Sequence, residues 1–444
     1  MILDEKEARS LLEKASGYSK ADSISLNLNG FNSYNLRFAL NSLSTNGYTD
    51  GLSLYITSNF GKKSGNVGTN KFDNDSIKEA IEKSEQIAKV SPDNNEFMSP
   101  LEPQKYEKGI NFSQNTEKLT PEKRAEMVEP VLKKSAGKDL ISAGFFEDEV
   151  DFTAILNSNG LFAYNKGTTI SFSTTVRTKD GSGSSRVQKM YVDSNKLDIN
   201  RLSDVVIDKS LRSVKSVELQ PGKYTVILEP SAVADMIAYC AYFMEARPAD
   251  EGRSFFSNNG KCNKIGELVV SPEINLYSDP LNTDSPSIPF RHDGIPISRT
   301  LWFEKGVLKN LIRTRYWAMK TGQPVVPFFS NLILDGTNKP LEEMISSTDR
   351  GILVTRFWYI RTVDPQTILL TGLTRDGLFE IRDGKITRPV KNFRFNESPI
   401  NMLKNVLEIG KAENAVGSEV EGLQIFAPPL KVKDFNFSSI SDAI

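Results

Sequence analysis

The chain has 444 residues, and its 55 Lys and Arg against 56 Asp and Glu leave a formal net charge of -1. That length allows two or three domains and a sizeable core without a metal or disulfide staple. The balanced charge supplies no basic field for a polyanion, which argues against nucleic-acid binding. With one histidine in the whole chain, the protein is poor in the commonest catalytic base and metal ligand.

Cysteine content and apolar runs bear on the compartment. The two cysteines, Cys240 and Cys262, cannot build a secreted-type disulfide framework, and the start MILDEKEARS lacks the basic-then-apolar order of a signal peptide. The longest apolar run, Met236 to Met244, is far shorter than the roughly 20 residues that cross a bilayer. We therefore expect a cytoplasmic protein with no membrane span.

The first 118 residues combine helical and strand patterns. Apolar residues at helical spacing, among them Ala8 and Leu12, predict an N-terminal helix. Alternation with Asn and Gly at the breaks predicts a strand meander from Asp22 to Val67. NDSIKEAIEKSEQIAKV returns to helical period, and the polar, proline-bearing stretch 92–118 is typical of a linker.

A second region of the same kind follows. Thr120 and Pro121 form a good helix start, with a capping hydroxyl and a proline in the first turn. The turn dipeptides Asn159-Gly160 and Asp180-Gly181 predict a second meander of at least three strands, and LDINRLSDVVIDKSLRSV predicts a helix. Pro221-Gly222 then turns the chain into a new strand, so we predict domains at 1–218 and 219–444.

The second half predicts mostly strands with short helices. Hairpins are expected around Lys305-Gly306 and Asp383-Gly384. GILVTRF and TILLTGL are expected to be strands, and PLEEMI and PINMLKNVLEIG short helices. The predicted class is α+β: a two-part protein with mostly antiparallel sheets, an N-terminal α+β region and a C-terminal domain.

One predicted helix in this half has almost no charged or polar side chains. After the strand TVILEP, Val233, Ile237, Cys240, Ala241 and Met244 form one helical stripe, and the other faces are apolar too. Nothing charged occurs between Asp235 and Glu245. A helix that is apolar all round belongs in a core or at a partner interface, and the pattern favours the core.

Several segments together resemble a known family. They are VILEP with the apolar helix, DGSGSSR, HDGIPISRTLWFEKGVLKNLI, GILVT, LFEIRDGKITRPV and LKNVLEIG. In this order and spacing they resemble the TldD/PmbA family, once called modulators of DNA gyrase and regarded as metallopeptidases. The resemblance runs collinearly from about Phe31 to the C-terminus.

The resemblance also implies that this chain lacks the zinc ligands of the family's metal-binding members. In the zinc-bearing branch of the family, the helix after the VILEP-like strand carries His-Glu-x-x-x-His, two zinc ligands and a water-activating carboxylate. Laid on this helix, the motif places Ala238 and Phe243 at the histidines and Tyr239 at the glutamate. The family's third ligand, a cysteine, would fall in 412–424, which has no Cys or His. The chain thus resembles the zinc-less TldE/PmbA branch, with no metal or catalytic residue of its own and zinc only on a partner.

Other candidate sites have more ordinary interpretations. His292, Cys240 and Cys262 match no metal-binding spacing, and the expectation is a buried Cys240 and a surface His292. DGSGSSR is expected to be a turn or loop rather than a phosphate cradle. Scattered carboxylates in turn contexts are expected to be solvated: Asp293, Asp376 and Glu397.

Three functional hypotheses follow. The first is a zinc-less, non-catalytic subunit of a TldD/TldE-type metallopeptidase, acting in proteolysis of small or unfolded peptides that bind exposed strand edges. Its partner would be a zinc-bearing TldD-type subunit in a heterodimer. The alternative is a stand-alone homodimeric peptide-binding or regulatory module. The third is a peptidase with an unrecognised site, so whether the chain is itself an enzyme stays open.

Overall fold

A computed structural model describes residues 1–258, 260–420 and 422–441. The described chain holds ten α-helices, one 3-10 turn at Ser194–Lys196, and twenty-three strands. The helices are α1 Glu5–Ser16, α2 Asn74–Val90, α3 Gln114–Glu117, α4 Pro121–Gly137, α5 Ile199–Arg212, α6 Pro230–Tyr242, α7 Ala246–Asp250, α8 Arg315–Thr321, α9 Leu341–Ser346 and α10 Pro399–Lys404. Within the described ranges, no helix is both long enough and apolar enough to cross a membrane.

The strands fall into two groups along the chain. Those of the first half are β1 Ser23–Ala39, β2 Ser42–Phe60, β3 Lys63–Thr69, β4 Leu140–Asn157, β5 Phe162–Thr178 and β6 Ser184–Tyr191. Those of the second half are β7 Gly222–Leu228, β8 Ser257–Asn258, β9 Lys261–Asn263, β10 Leu276–Ser278, β11 Thr300–Glu304, β12 Val307–Leu308, β13 Asn331–Leu334, β14 Arg350–Val354, β15 Phe357–Asp364, β16 Leu369–Thr374, β17 Leu378–Arg382, β18 Lys385–Pro389, β19 Phe393–Glu397, β20 Val406–Ile409, β21 Glu413–Ala415, β22 Gln424–Ala427 and β23 Leu430–Ile440.

The first half folds around one long antiparallel sheet of order β3-β2-β1-β4-β5-β6. Alternate apolar residues of β1, such as Leu26 and Leu36, lie on one face of the sheet because successive side chains point to opposite faces. Helices α1 and α2 cover one end of that face and α4 and α5 the other, so the half has two hydrophobic clusters. Between the two clusters the buried ion pair of Arg124 and Asp148 (2.5 Å) lies over the ring of Tyr34.

The second half contains a nine-stranded sheet and a six-stranded sheet, besides the two-stranded sheet of β8 and β9. One has the order β15-β16-β19-β23-β7-β14-β17-β18, with β20 paired to β23. The other has the order β12-β11-β10-β13-β22-β21. Helix α6 belongs to the large hydrophobic cluster that also takes residues from both sheets. Strand β7 lies inside its sheet, between β23 and β14, and leads directly into α6.

The sequence predicted this architecture well. The mixed α+β class with mostly antiparallel sheets is confirmed, as are both meanders, the two hairpins and the four long N-terminal helices. One expectation is wrong: the end of PINMLKNVLEIG is strand β20, because Val406 to Ile409 pair with β23. The division near Glu218 stays a prediction, although the two N-terminal hydrophobic clusters contain only residues before 212.

The stretch 92–118 contains one short helix, α3, and otherwise no helix or strand. Hydrogen bonds attach it to the rest of the protein. The Tyr106 hydroxyl donates to the carbonyl of Gly294 (2.7 Å), and Asn157 donates to the carbonyl of Leu101 (2.8 Å). This segment therefore contacts both halves of the molecule.

Candidate functional site

Helix α6 is placed by the end of β7. Glu229 precedes the helix in extended conformation, and Pro230 occupies the first turn, where its missing N–H costs nothing. The Glu229 N–H donates to the carbonyl of Val354 (2.9 Å), and Lys209 of α5 donates to its carboxylate (2.6 Å). The start of α6 is thus fixed to the sheet on one side and to the first half of the chain on the other.

The core interpretation of this helix is confirmed. Ala232 to Ala238, Cys240 and Ala241 are all buried, and burial raises the pKa of Cys240 to about 12. Tyr242 departs from the pattern, since 43% of it is exposed near the C-terminal end. Its ring lies 5.5 Å from those of Phe328 and Phe329.

The three positions identified from the zinc motif lie on the inner and C-terminal parts of α6. Ala238 is fully buried and packs in the large cluster. Tyr239 is half-buried, and its hydroxyl donates to the carbonyl of Ile360 in β15 (3.1 Å). Phe243 ends the helix and packs, partly buried, against the same cluster.

Residues 416–419, within the segment 412–424, contact the first turns of α6. The hydroxyl of Ser231 donates to the carbonyl of Val416 (2.7 Å). The backbone N–H groups of Ser418 and Glu419 donate to the two carboxylate oxygens of Asp235 (3.1 and 3.0 Å). The structure therefore brings together the helix and the segment that the resemblance pairs as the two sides of a zinc site.

Asp235 is the chemically distinctive group of the site. It is fully buried, and this desolvation raises its pKa to about 7, against the two backbone donors and Arg356, which lower it. The nearby charge of Glu419 raises its pKa further. A Cβ at Gly417 would overlap the Asp235 carboxylate, so the close approach of segment and helix requires glycine there.

A chain of buried polar contacts continues outward from this point. Arg356 donates to the Ser418 hydroxyl (2.8 Å) and forms an ion pair with Asp376 (2.6 Å). Asp376 also accepts from the hydroxyl of Ser184 at the start of β6 (2.6 Å). The contacts thus run from Ser184 of the first half, through Asp376, Arg356 and Ser418, to the carboxylate of Asp235.

Glu419 ties the same segment to the edge strand β15. Its carboxylate accepts from the backbone N–H of Tyr359 (2.6 Å) and from the guanidinium of Arg361 (3.2 Å). Tyr359 has a positive φ of 55° at an irregularity in the β15 to β16 pairing. Trp358 and Tyr359 are 36% and 54% exposed there, which places aromatic surface beside Tyr239.

The residues at this position do not fit a zinc ion. A methyl group and a phenyl ring stand where the resemblance places the two imidazoles, and the Tyr239 hydroxyl is hydrogen-bonded to a carbonyl. The segment presents backbone N–H donors, which cannot ligate a cation, and they are occupied by Asp235. In the described residues, no group of three or more His, Cys, Asp or Glu is arranged to hold a metal. Cys240 is buried and Cys262 exposed, both as free thiols, and His292 is exposed.

Two carboxylates are buried where the sequence predicted exposure to solvent. Asp376 and Glu397 were expected in solvated turns, and both expectations are wrong: they are 4% and 7% exposed. Glu397 ends strand β19 and accepts from the N–H groups of Ser398 and Asn436, and its burial raises its pKa. Asp293 is exposed, as expected.

Sequence reasoning also passed over Asp235 as a functional residue. The signal was present, because a single carboxylate within an otherwise apolar helix must find partners to be buried. Ser231, one turn earlier on the same face, points to the same neighbour. The sequence could not identify the neighbour, because the contacting residues lie 183 to 185 positions further along the chain.

This geometry defines an α+β protein with mostly antiparallel sheets, in which the apolar helix α6 is hydrogen-bonded through Ser231 and Asp235 to residues 416, 418 and 419. Two family models match the chain: the PmbA/TldA metallopeptidase central domain over residues 100–214, and the C-terminal domain over residues 221–439. The chain therefore belongs to the PmbA/TldD family.

Known proteins are similar over most of the chain. TldE from Thermococcus kodakarensis superimposes with a TM-score of 0.86 at 18% identity, covering 97% of this chain and 99% of that one. A candidate modulator of DNA gyrase from Bacteroides thetaiotaomicron gives 0.85 at 21% identity, covering 99% and 100%. The corresponding Thermotoga maritima protein gives 0.84 at 17% identity, covering 97% and 100%. These likenesses show the fold.

A relative in sequence comes from Methanothermobacter thermautotrophicus and is described as a metalloprotease. It is 24% identical to this chain over 290 residues, which are 60% of this chain and 61% of that protein. The match thus spans less than two thirds of the relative's length.

Proposed function

We propose that this chain is the zinc-less, non-catalytic subunit of a TldD/TldE-type metallopeptidase that degrades small or unfolded peptides. The observation that carries the proposal is the chemistry of helix α6 in a family described as metallopeptidases. Ala238, Tyr239 and Phe243, the positions at which the resemblance places the zinc motif, carry a methyl group, a hydrogen-bonded phenol and a phenyl ring. Hydrolysis then requires a second chain that bears His-Glu-x-x-x-His and the zinc.

The surface beside α6 supports a role in peptide contact. Trp358 and Tyr359 are exposed on the edge strand β15, and the guanidinium of Arg361 lies 4.1 Å from the centre of the Tyr359 ring. The guanidinium groups of Arg356 and Arg375 lie 5.3 and 5.1 Å from the ring of Trp358. Aromatic rings flanked by arginines can contact a peptide side chain or carboxylate without cleaving anything. In this proposal the chain forms part of the surface that binds the peptide and contributes to substrate specificity, while the partner cleaves the bond.

The proposed setting is the cytoplasm. Cys240 and Cys262 are both free, which suits a reducing compartment.

The test is isolation of the tagged chain from its native host at low salt, followed by mass spectrometry of what co-purifies. We expect a stoichiometric partner carrying His-Glu-x-x-x-His, one zinc per complex by elemental analysis, and hydrolysis of unstructured peptides that a chelator abolishes. The chain purified alone should not hydrolyse the same peptides, with or without added zinc. Zinc-dependent hydrolysis by the chain alone would refute the proposal.

A control variant separates partner binding from catalysis. Ala238→Gly removes a methyl group at the motif position without adding a ligand, so the complex should keep its activity. If that variant abolishes hydrolysis while the complex and its zinc persist, this helix takes part in the reaction and the non-catalytic assignment is wrong.

A further inference from the structure

Three arginines lie around the edge strand β15, and they differ in how well their charges are paired. Arg356 is buried and forms hydrogen bonds and an ion pair with Asp376. Arg361 donates to the carboxylate of Glu419 (3.2 Å). The guanidinium of Arg375 lies 4.0 Å from Asp376, beyond hydrogen-bonding distance. Within the described residues, the side chain of Arg375 donates no hydrogen bond.

The guanidinium of Arg375 is also largely removed from water. Its side chain is 26% exposed, and the guanidinium lies 5.1 Å from the centre of the Trp358 ring. Arginine stays charged at every pH at which proteins are folded, and a partly buried polar group without a hydrogen bond is costly. A planar guanidinium can satisfy two of its donors at once on a carboxylate or a phosphate. The arrangement therefore points to an anionic ligand.

The backbone beside this pair of side chains is strained. Tyr359 has a φ of 55°, which is unfavourable for a bulky residue. Its N–H donates to the carboxylate of Glu419 (2.6 Å), which holds this conformation in place. Strain of this kind is concentrated at ligand sites, where neighbouring contacts enforce it. Trp358 and Tyr359 are both exposed at this point, so their rings are accessible to a ligand.

The charge balance indicates which anion is bound. Asp376 pairs with Arg356, and Glu419 pairs with Arg361, so the positive charge of Arg375 is left without a full partner. A carboxylate carries one negative charge and matches that single positive charge. A phosphate monoester carries about -1.5 to -2 at pH 7 and would lie beside the carboxylate of Asp376, where like charges repel.

We propose that Arg375 and Trp358 bind a carboxylate of the substrate peptide. The guanidinium of Arg375 donates two hydrogen bonds to the carboxylate, and the indole of Trp358 packs against the residue that carries it. The inference rests on the proposed function and names the class of peptide that this subunit selects. The carboxylate belongs either to the free C-terminus of the peptide or to an Asp or Glu side chain, and the experiment separates the two.

The test measures binding of three short acetylated alanine peptides to the purified full chain. One has a free C-terminal carboxylate, one a C-terminal amide, and one an amide with a central Asp. Trp358 is 36% exposed, whereas Trp302 and Trp317 are 1% and 6% exposed, so acrylamide quenching of fluorescence reports mainly on Trp358. Isothermal titration calorimetry gives the affinity.

The free acid should bind and protect Trp358 from the quencher, and the plain amide should bind about tenfold or more weakly because it cannot form the charged hydrogen bonds. The Asp peptide identifies the source of the carboxylate. It should bind like the free acid if a side-chain carboxylate suffices, and like the plain amide if the site takes only a C-terminus.

Variants of Arg375 test its role directly. Arg375→Gln should weaken binding of the free acid about tenfold or more and leave the amide unchanged, and Arg375→Lys should retain part of the affinity because it keeps the charge without the planar fork. Arg394→Gln, at an exposed arginine of β19 in the same sheet, is the matched control and should bind as the wild type does. In the complex with a zinc-bearing chain, Arg375→Gln should raise KM for the free acid and leave kcat unchanged.

Three results with the wild type would overturn the proposal, and none depends on a variant that folds. They are equal binding of the free acid and the amide, no saturable binding of the free acid, and tighter binding of inorganic phosphate than of the free acid. This failure is distinct from failure of the proposed function. A zinc-bearing complex that hydrolyses acid and amide peptides alike would keep the peptidase role and remove the carboxylate site, whereas a chain that prefers the acid but has no zinc-bearing partner would do the reverse.

Discussion

The burial of Asp235 makes the stability of the second half depend on pH. The carboxyl has an ordinary pKa of 3.8 and a folded-state pKa of about 7, raised chiefly by desolvation. Between these values the folded chain holds a proton that the unfolded chain has lost, so raising the pH favours unfolding. The stabilisation of the folded state by the protonated Asp235 carboxyl is complete below about pH 4 and is lost as the pH rises through 7.

The size of this effect follows from the shift. A difference of roughly three pKa units corresponds to about 4 kcal/mol, at about 1.4 kcal/mol for each unit. The group is fully buried, so bulk water does not screen this value as it would at a surface. Asp235→Asn removes the titration and keeps the shape. The free energy of unfolding of wild type minus that of the variant should therefore fall by up to about 4 kcal/mol between pH 4 and pH 8, and level off above pH 8.

The assay is urea unfolding of both proteins at several pH values, followed by tryptophan fluorescence. All three tryptophans, Trp302, Trp317 and Trp358, lie in the second half, so the signal reports the domain that contains α6. Asp293→Asn, which makes the same chemical change at an exposed carboxylate, is the control. Parallel pH profiles for wild type and Asp235→Asn would refute the reasoning, because they would mean that this carboxyl ionises alike in the folded and unfolded chains.

Two further predictions use the same assay. Ile237→Asp, at a fully buried position of α6, should lower the free energy of unfolding by roughly 3–5 kcal/mol because the buried charge has no partner. Phe243→Asp, at the partly exposed end of the helix, should lower it by only roughly 1–2 kcal/mol. Equal losses of stability in the two variants would contradict the burial pattern. Arg356→Met should cost roughly 3–5 kcal/mol because it removes the ion-pair partner at 2.6 Å from the buried Asp376 and leaves it with Arg375 at 4.0 Å and the Ser184 hydroxyl. Combined with Asp235→Asn it should depart from additivity by about 0.5–3 kcal/mol because both residues contact Ser418, and strict additivity would contradict that link.

Periodicity explains why so much of the fold could be predicted from the sequence. Alternation in β1 and helical spacing in α1 record which faces are buried, and both faces are as predicted. The capping pair Thr120 and Pro121 likewise marks the start of α4. Such signals are local, so one sequence suffices to read them.

The site depends on contacts that have no local signal. Asp376 occupies a turn-like sequence, with a positive φ of 55°, yet its burial follows from Arg356 and from Ser184 in the other half of the chain. Strand β20 follows directly after a helix, and its pairing with β23 decides its conformation. In both cases the deciding neighbour is distant in sequence, and propensity is overridden by tertiary contact.

The arrangement around Asp235 shows how the segment 412–424 is held against helix α6 by side chains of this chain. By the resemblance, zinc in the other branch joins the helix, through two histidines, to the later segment, through a cysteine. Here Ser231 and Asp235 join the same helix to the same segment by three hydrogen bonds to backbone groups of residues 416, 418 and 419. Hydrogen bonds to a charged group are individually worth about 1.5–3 kcal/mol and neutral ones about 0.5–1.5 kcal/mol. The two bonds accepted by Asp235 belong to the first kind when its carboxyl is ionised, and the Ser231 bond belongs to the second, so together they can hold a short segment in place. Ala238 and Phe243 pack in the large hydrophobic cluster and take no part in holding the segment.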